Sequence, residues 1–118
     1  MMVKLYRIKS DGSELLVDDV EVAESFFARG KGLLGRKNLE PNTALWIKPC
    51  NNIHTFFMRF KIDCIFVDKK MKIERIASRV RPFKIVGPFW KASSVFETPE
   101  GLAEKWNLQV GDQLYVVN

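Results

Sequence analysis

The feature that most limits how this chain can fold is the length of its apolar runs, which are short, β-prone and repeatedly interrupted. Residues 44–47, 53–57, 62–67, 73–80, 94–97 and 113–117 are each rich in β-branched or aromatic side chains over the length of an ordinary strand. Turn formers separate them: Pro49, Asp68-Lys69-Lys70, Pro82, Gly87-Pro88 and Gly111-Asp112. Upstream, Leu5 and Ile8 lead into a turn cluster at residues 10–13, and Leu15, Leu16 and Val17 follow it, the pattern of a hairpin. Residues 20–23 then alternate apolar and polar, as a further short strand does.

Two stretches have a different period. Phe26, Arg29, Gly30 and Leu33 fall at helical spacing with Phe27 and Leu34 alongside, and Ser25 stands where an N-cap hydroxyl accepts a backbone hydrogen bond. Gly30 and Gly32 each weaken such a helix by about 1 kcal/mol relative to Ala, so it is expected to be short and to end near Gly35. Asn38 and Pro41-Asn42 form the turn after it. A second helix is expected to start at Thr98-Pro99-Glu100, with Thr98 as N-cap and Leu102, Ala103 and Trp106 as its apolar face. Short strands with two short helices give an α+β fold, mostly antiparallel, curled into a sandwich or open barrel. The 118 residues are enough for a single domain, 1–118, with one core.

Charge and cysteine content narrow the function classes. The net charge of +5 attracts phosphates at low salt, but basic and aromatic residues are not interleaved as in RNA-binding motifs. The run Lys69, Lys70, Lys72, Arg75, Arg79, Arg81 and Lys84 reads as a solvated strand edge before it reads as a polyanion site, and nucleic acid is not an expected partner. Asp11, Glu14, Asp18 and Asp19 interrupt the region where a signal peptide needs its apolar core, and no segment is long enough to span a bilayer. A soluble, cytoplasmic chain with no membrane partner and two reduced thiols, Cys50 and Cys64, is expected. With a single His and no Cys-x-x-Cys, neither a metal nor another cofactor is expected.

Three blocks stand out for their specificity. They are Gly32-Leu33-Leu34-Gly35-Arg36, then Ile53-His54-Thr55-Phe56-Phe57-Met58-Arg59-Phe60, then Ile62-Asp63 with Ile65-Phe66-Val67-Asp68. They resemble the signature blocks of the family known as domain of unknown function 192. Val95-Phe96-Glu97, Gly101 and Gly111-Asp112 are similar to its C-terminal blocks. The likeness extends from about Val20 to Leu114, with departures at Leu34, Lys61 and Thr98-Pro99-Glu100. It implies a shared fold and a shared surface, and no established activity.

The candidate site gathers around His54. In an extended strand His54, Phe56 and Met58 share one face, while Asp63 lies opposite Ile62, Cys64 and Phe66 on the next run. If those runs pair through residues 59–61, Asp63 approaches Arg59 or His54. The functional reading is a pocket lined by His54, Arg59 and Asp63, joined by Arg36 and Glu97, that recognises a small polar or anionic ligand or a partner segment. The structural reading is an Arg59–Asp63 ion pair that fixes a turn. An enzyme, hydrolase-like, would use His54 with Asp63 or Cys50, although no oxyanion-hole motif accompanies them and Cys50 is equally a small apolar core residue. Among the tryptophans, Trp46 and Trp106 are expected in the core and Trp90 on an exposed loop.

Overall fold

A computed structural model describes residues 1–118, apart from the side chains of Phe26 and Phe27, whose expected place on a helix face lies outside the described residues. Strands β1 (Met2–Lys9) and β2 (Gly12–Ala23) form the expected hairpin, and the separate strand expected at residues 20–23 is the far end of β2. Helix α1 (Phe26–Lys31) follows, capped by Ser25, whose Oγ accepts the Ala28 N–H at 3.0 Å. The chain then returns as β3 (Thr43–Ile47), parallel to β2 because the crossover carries it back to the strand's starting end.

The remaining elements are β4 (Ile53–His54), β5 (Ile62–Val67), β6 (Ile73–Val80), β7 (Ile85–Val86), β8 (Ser94–Pro99), α2 (Leu102–Lys105) and β9 (Leu114–Val117). Seven strands make one sheet in the order β6-β5-β8-β3-β2-β1-β9, and β4 and β7 make a small second one. Every pairing in the large sheet except β2–β3 is antiparallel. The sheet curls until its edge strands approach. They meet at the isolated bridge Lys72–Gln113 and at bonds such as Leu114 N–H to Met71 O, 2.9 Å, and the barrel stays open. The α+β architecture is therefore the one the apolar runs imply.

Strand alternation divides the sheet into two apolar faces. The inner face carries Leu5, Val20, Trp46, Ile65, Phe96 and Leu114, and α2 adds Leu102 and Ala103. Trp46 stacks on Phe96 with centroids 5.0 Å apart, and its indole N–H donates to Ser94 Oγ at 2.9 Å, so the buried ring keeps a polar partner. The outer face carries Leu45, Ile47, Ile62, Cys64, Phe66 and Val95 under a cover that contributes Leu33, Ile53, Met58 and Ala92. Because both faces are covered, all six residues of β5 are buried. Trp90 stands 84% exposed, as expected, whereas Trp106, expected in the core, is only half-buried against its margin.

Three further local expectations are overturned. Helix α1 ends at Lys31, short of the expected Gly35, because Gly32 leaves the helical conformation. The strand expected at residues 53–57 stops at His54, and the Met58 N–H closes a turn onto Thr55 O at 3.2 Å. β4 does not pair with β5, because both hydrogen-bonding edges of β5 are occupied, one by β6 and one by β8. The second helix does not begin at Thr98-Pro99 either. Those residues continue β8 opposite Asp63 and Ile62, and the helix starts after Gly101, which holds φ at 90°. The cap comes from across the sheet, where Asp63 accepts the Ala103 N–H at 3.0 Å.

Candidate functional site

Beneath the cover of the outer face lies a cavity of about 290 Å³. Its walls are the stretch from Arg29 to Leu34, then Ile47, Pro49 and Cys50, then Asn52 to His54, with Met58 and Glu97 completing it. The local sequence explains the opening. Ser25 starts α1, and Gly32 ends it at φ 49° and ψ −127°, a conformation that glycine tolerates far better than other residues. The backbone thereby passes close over Glu97. A Cβ added at Gly32 would lie 3.8 Å from Glu97 Oε1.

Glu97 is the unusual group. It sits on the outer face of β8, between Leu45 of β3 and Cys64 of β5, and is 3% exposed. No donor among the described residues bonds its carboxyl. Burial therefore pushes its pKa up to about 7, opposed in part by the positive charge of Arg36. Around it, Leu33, Leu34, Ile47, Ile53 and Met58 make the cavity mostly apolar, with Arg29, Lys31 and His54 as its basic members.

The other residues proposed from sequence separate into three groups. His54 and Cys50 line the cavity with Glu97. His54 is exposed with its ring 5.3 Å from that of Phe56. The Cys50 Sγ–H donates to Asn52 O at 2.8 Å, and burial pushes its thiol pKa up, as the nearby Glu97 does to a smaller degree. That is the opposite of an activated nucleophile. Arg36 stays outside the cavity and donates to Glu21 Oε2 at 3.0 Å. Arg59 is exposed and joins no ion pair among the described residues.

Asp63 is the clearest displacement. It is fully buried on the inner face, where one oxygen accepts the Arg79 N–H at 2.9 Å and the other the Ala103 N–H at 3.0 Å. Both its expected partnerships are thus absent: Asp63 neither pairs with Arg59 nor meets His54, and the sheet stands between it and Glu97. Cys64, one residue along, faces the other way, and burial raises its thiol pKa too. Both cysteines are unpaired.

Sequence reasoning did not pick out Arg29, Leu33 or Met58 as parts of a site. Arg29 Nη1 donates to Pro49 O at 3.0 Å, while its buried Nε has no partner. The one available signal was the block at residues 32–36, whose glycines suit a close backbone approach. The basic run is also partly engaged: Arg79 pairs with Glu100 and Glu104, and Arg75 lies over the Phe89 ring at 4.5 Å. Among the described residues no three His, Cys, Asp or Glu side chains gather as a metal ion requires.

Comparison with known proteins agrees with the likeness seen in the sequence blocks. The profile of domain of unknown function 192, described as Uncharacterized ACR, matches residues 6–116. A UPF0127 protein of Thermococcus sibiricus is 35% identical over 101 residues, 80% of this chain, and the chain spans only 64% of that relative's length. The UPF0127 protein PH1112 of Pyrococcus horikoshii is 33% identical over 102 residues, 81% of this chain and 85% of its own. Among solved structures, a Sinorhizobium meliloti protein provisionally described as a transcription regulator superposes with TM-score 0.84 at 19% identity, covering 98% of this chain and 94% of its own. A Novosphingobium aromaticivorans protein of unknown function gives TM-score 0.83 at 20% identity, covering 97% and 84%. At that identity the two structures speak for the fold alone.

Proposed function

The chain belongs to the domain of unknown function 192 family, and from that premise we propose that it is a small-ligand-binding domain whose site is the Glu97 cavity. The observation that carries this reading is a carboxyl group 3% exposed, without a donor among the described residues, facing a cavity of about 290 Å³. A buried polar group left unbonded destabilises a fold by about 1–3 kcal/mol, whereas a ligand that donates to it removes the penalty. The volume sits at the small end of ligand pockets. The ligand is a compact molecule with an apolar body against Leu33, Ile47, Ile53 and Met58 and a hydroxyl, amide or amine that donates to Glu97. A polar or anionic substituent fits near the mouth, where Arg29 and Lys31 supply positive charge and His54 a ring nitrogen for hydrogen bonding.

This reading keeps His54, Cys50 and Glu97 from the sequence-based set and leaves Arg59, Asp63 and Arg36 outside the pocket. A reducing compartment such as the cytoplasm suits its two free thiols. Among the described residues no helix is long and apolar enough to cross a membrane.

A thermal-shift panel of short-chain and aryl alcohols, amides and primary amines, run on wild type and Glu97→Leu, tests the proposal. Glu97→Leu is expected to melt higher than wild type without ligand. It is also expected to lose the stabilisation that a panel member gives wild type, about 2.7 kcal/mol at a hundred times the dissociation constant. Stabilisation that survives in Glu97→Leu, or a panel without effect on wild type, would sink it.

A further inference from the structure

A second feature lies beside the cavity and does not depend on it. Thr55, fully buried, ties two turns together. Its N–H donates to Lys84 O at 2.9 Å and its hydroxyl donates to Arg81 O at 2.6 Å. Its hydroxyl accepts the Lys84 N–H at 2.9 Å and its carbonyl accepts the Phe83 N–H at 3.0 Å. The turns held this way carry Phe57 at φ 67° and Phe83 at φ 64°. A bulky aromatic residue is strained in this left-handed region.

No core burial offsets the strain. Phe57 is 75% exposed, Phe83 64% and the neighbouring Ile85 69%. The rings of Phe57 and Phe83 lie 6.1 Å apart, and Phe56 extends the string at 6.3 Å from Phe83. Arg59, Lys61, Arg81 and Lys84 flank these residues, all exposed and none in an ion pair among the described residues. No acidic residue occurs from 41 to 62 or from 75 to 96. Lys4, Lys9, Arg36 and Arg79 each find a carboxylate. Exposed Lys37, Lys70 and Lys91 share the tip's lack of an ion pair among the described residues, so the tip is distinguished by its exposed aromatic rings together with its charge.

We infer that this acid-free aromatic tip is a docking surface for an anionic lipid bilayer. Aromatic side chains standing on turn tips enter the boundary between headgroups and acyl chains, and a ring of Lys and Arg pairs with lipid phosphates. Phe57, Phe83 and Ile85 are each more than half exposed, which suits a fluid surface that closes around them. A second copy of the chain would bring the same positive charge against itself. No membrane partner is expected from the sequence because no segment spans a bilayer, but surface docking needs no spanning segment.

Vesicle flotation of the full chain tests this, using equal parts phosphatidylglycerol and phosphatidylcholine against phosphatidylcholine alone, at low and high salt. The floated fraction is expected to be roughly tenfold higher on the anionic vesicles at low salt and to fall as salt rises. Phe57→Asn with Phe83→Asn, and separately Arg81→Glu with Lys84→Glu, are each expected to lower it about tenfold. Asn adopts positive φ more readily than Phe, so the first variant should melt no lower than wild type and its loss of binding cannot be assigned to unfolding. No flotation of wild type, equal flotation on neutral vesicles, or flotation retained by either variant would overturn the inference. So would dimerisation in sedimentation velocity that the Phe variant abolishes, or saturable binding to polyglutamate in place of vesicles, which would assign the tip to a second copy or to an acidic protein.

Discussion

Two buried carboxyl groups, Asp63 and Glu97, occupy adjacent strands of one sheet and opposite faces of it. Asp63 lies on the inner face with a backbone N–H on each oxygen, one from β6 and one from α2. Glu97 lies on the outer face with no donor among the described residues, under a glycine-bearing loop that passes close over it. The first arrangement is that of a structural part, because it satisfies a helix start and a strand end at once. The second leaves a carboxyl facing the cavity with no donor among the described residues, and the binding reading proposed above rests on that difference.

The largest expected effect breaks the inner side of this comparison. Asp63→Ala strands two buried backbone donors, and a loss of about 3–5 kcal/mol is expected in urea denaturation. A loss below roughly 1 kcal/mol would mean that Asp63 does not hold β6 and α2 together through these two bonds.

The next effect concerns the outer side and its sign. The native Glu97 pKa of about 7 lies above the unfolded value, so the native state binds more protons between the two. Stability tied to this group is full below about pH 4.5 and is lost as pH rises through about 7. The difference is about 3 kcal/mol. Denaturation of wild type and Glu97→Gln at pH 5 and pH 8 checks it: wild type should fall relative to the variant on going to pH 8. A constant gap would show that Glu97 is not desolvated. The smallest effect sharpens the link between loop and carboxyl. Gly32→Ala should destabilise by about 1–2 kcal/mol through its backbone conformation, and its Cβ should weaken any ligand that reaches Glu97. Unchanged stability and unchanged ligand affinity would separate the loop from the site.

The contrast also shows why the site was only partly legible. Arg59, Asp63 and His54 are neighbours in sequence, and a hairpin through residues 59–61 would have joined them. β5 had no free edge for β4, so the hairpin does not form and Asp63 turns inward. Glu97 was legible as a candidate, as part of a block resembling the family. Its isolation was not, because the absence of a donor is a property of everything packed around it.

Local chemistry carried the rest. The length of the apolar runs, the turn at Asp68, whose Oδ1 accepts the Lys70 and Lys72 N–H groups at 2.8 and 3.0 Å, and the Ser25 cap all follow from interactions within a few residues. These are determined by the sequence alone, and with them the α+β class. Which face of the sheet each carboxyl occupies, which edges are already paired and where a cavity is left depend on strands far apart in the chain. Only the tertiary structure decides those, since strand pairing is set by the competition of all strands for a limited number of edges.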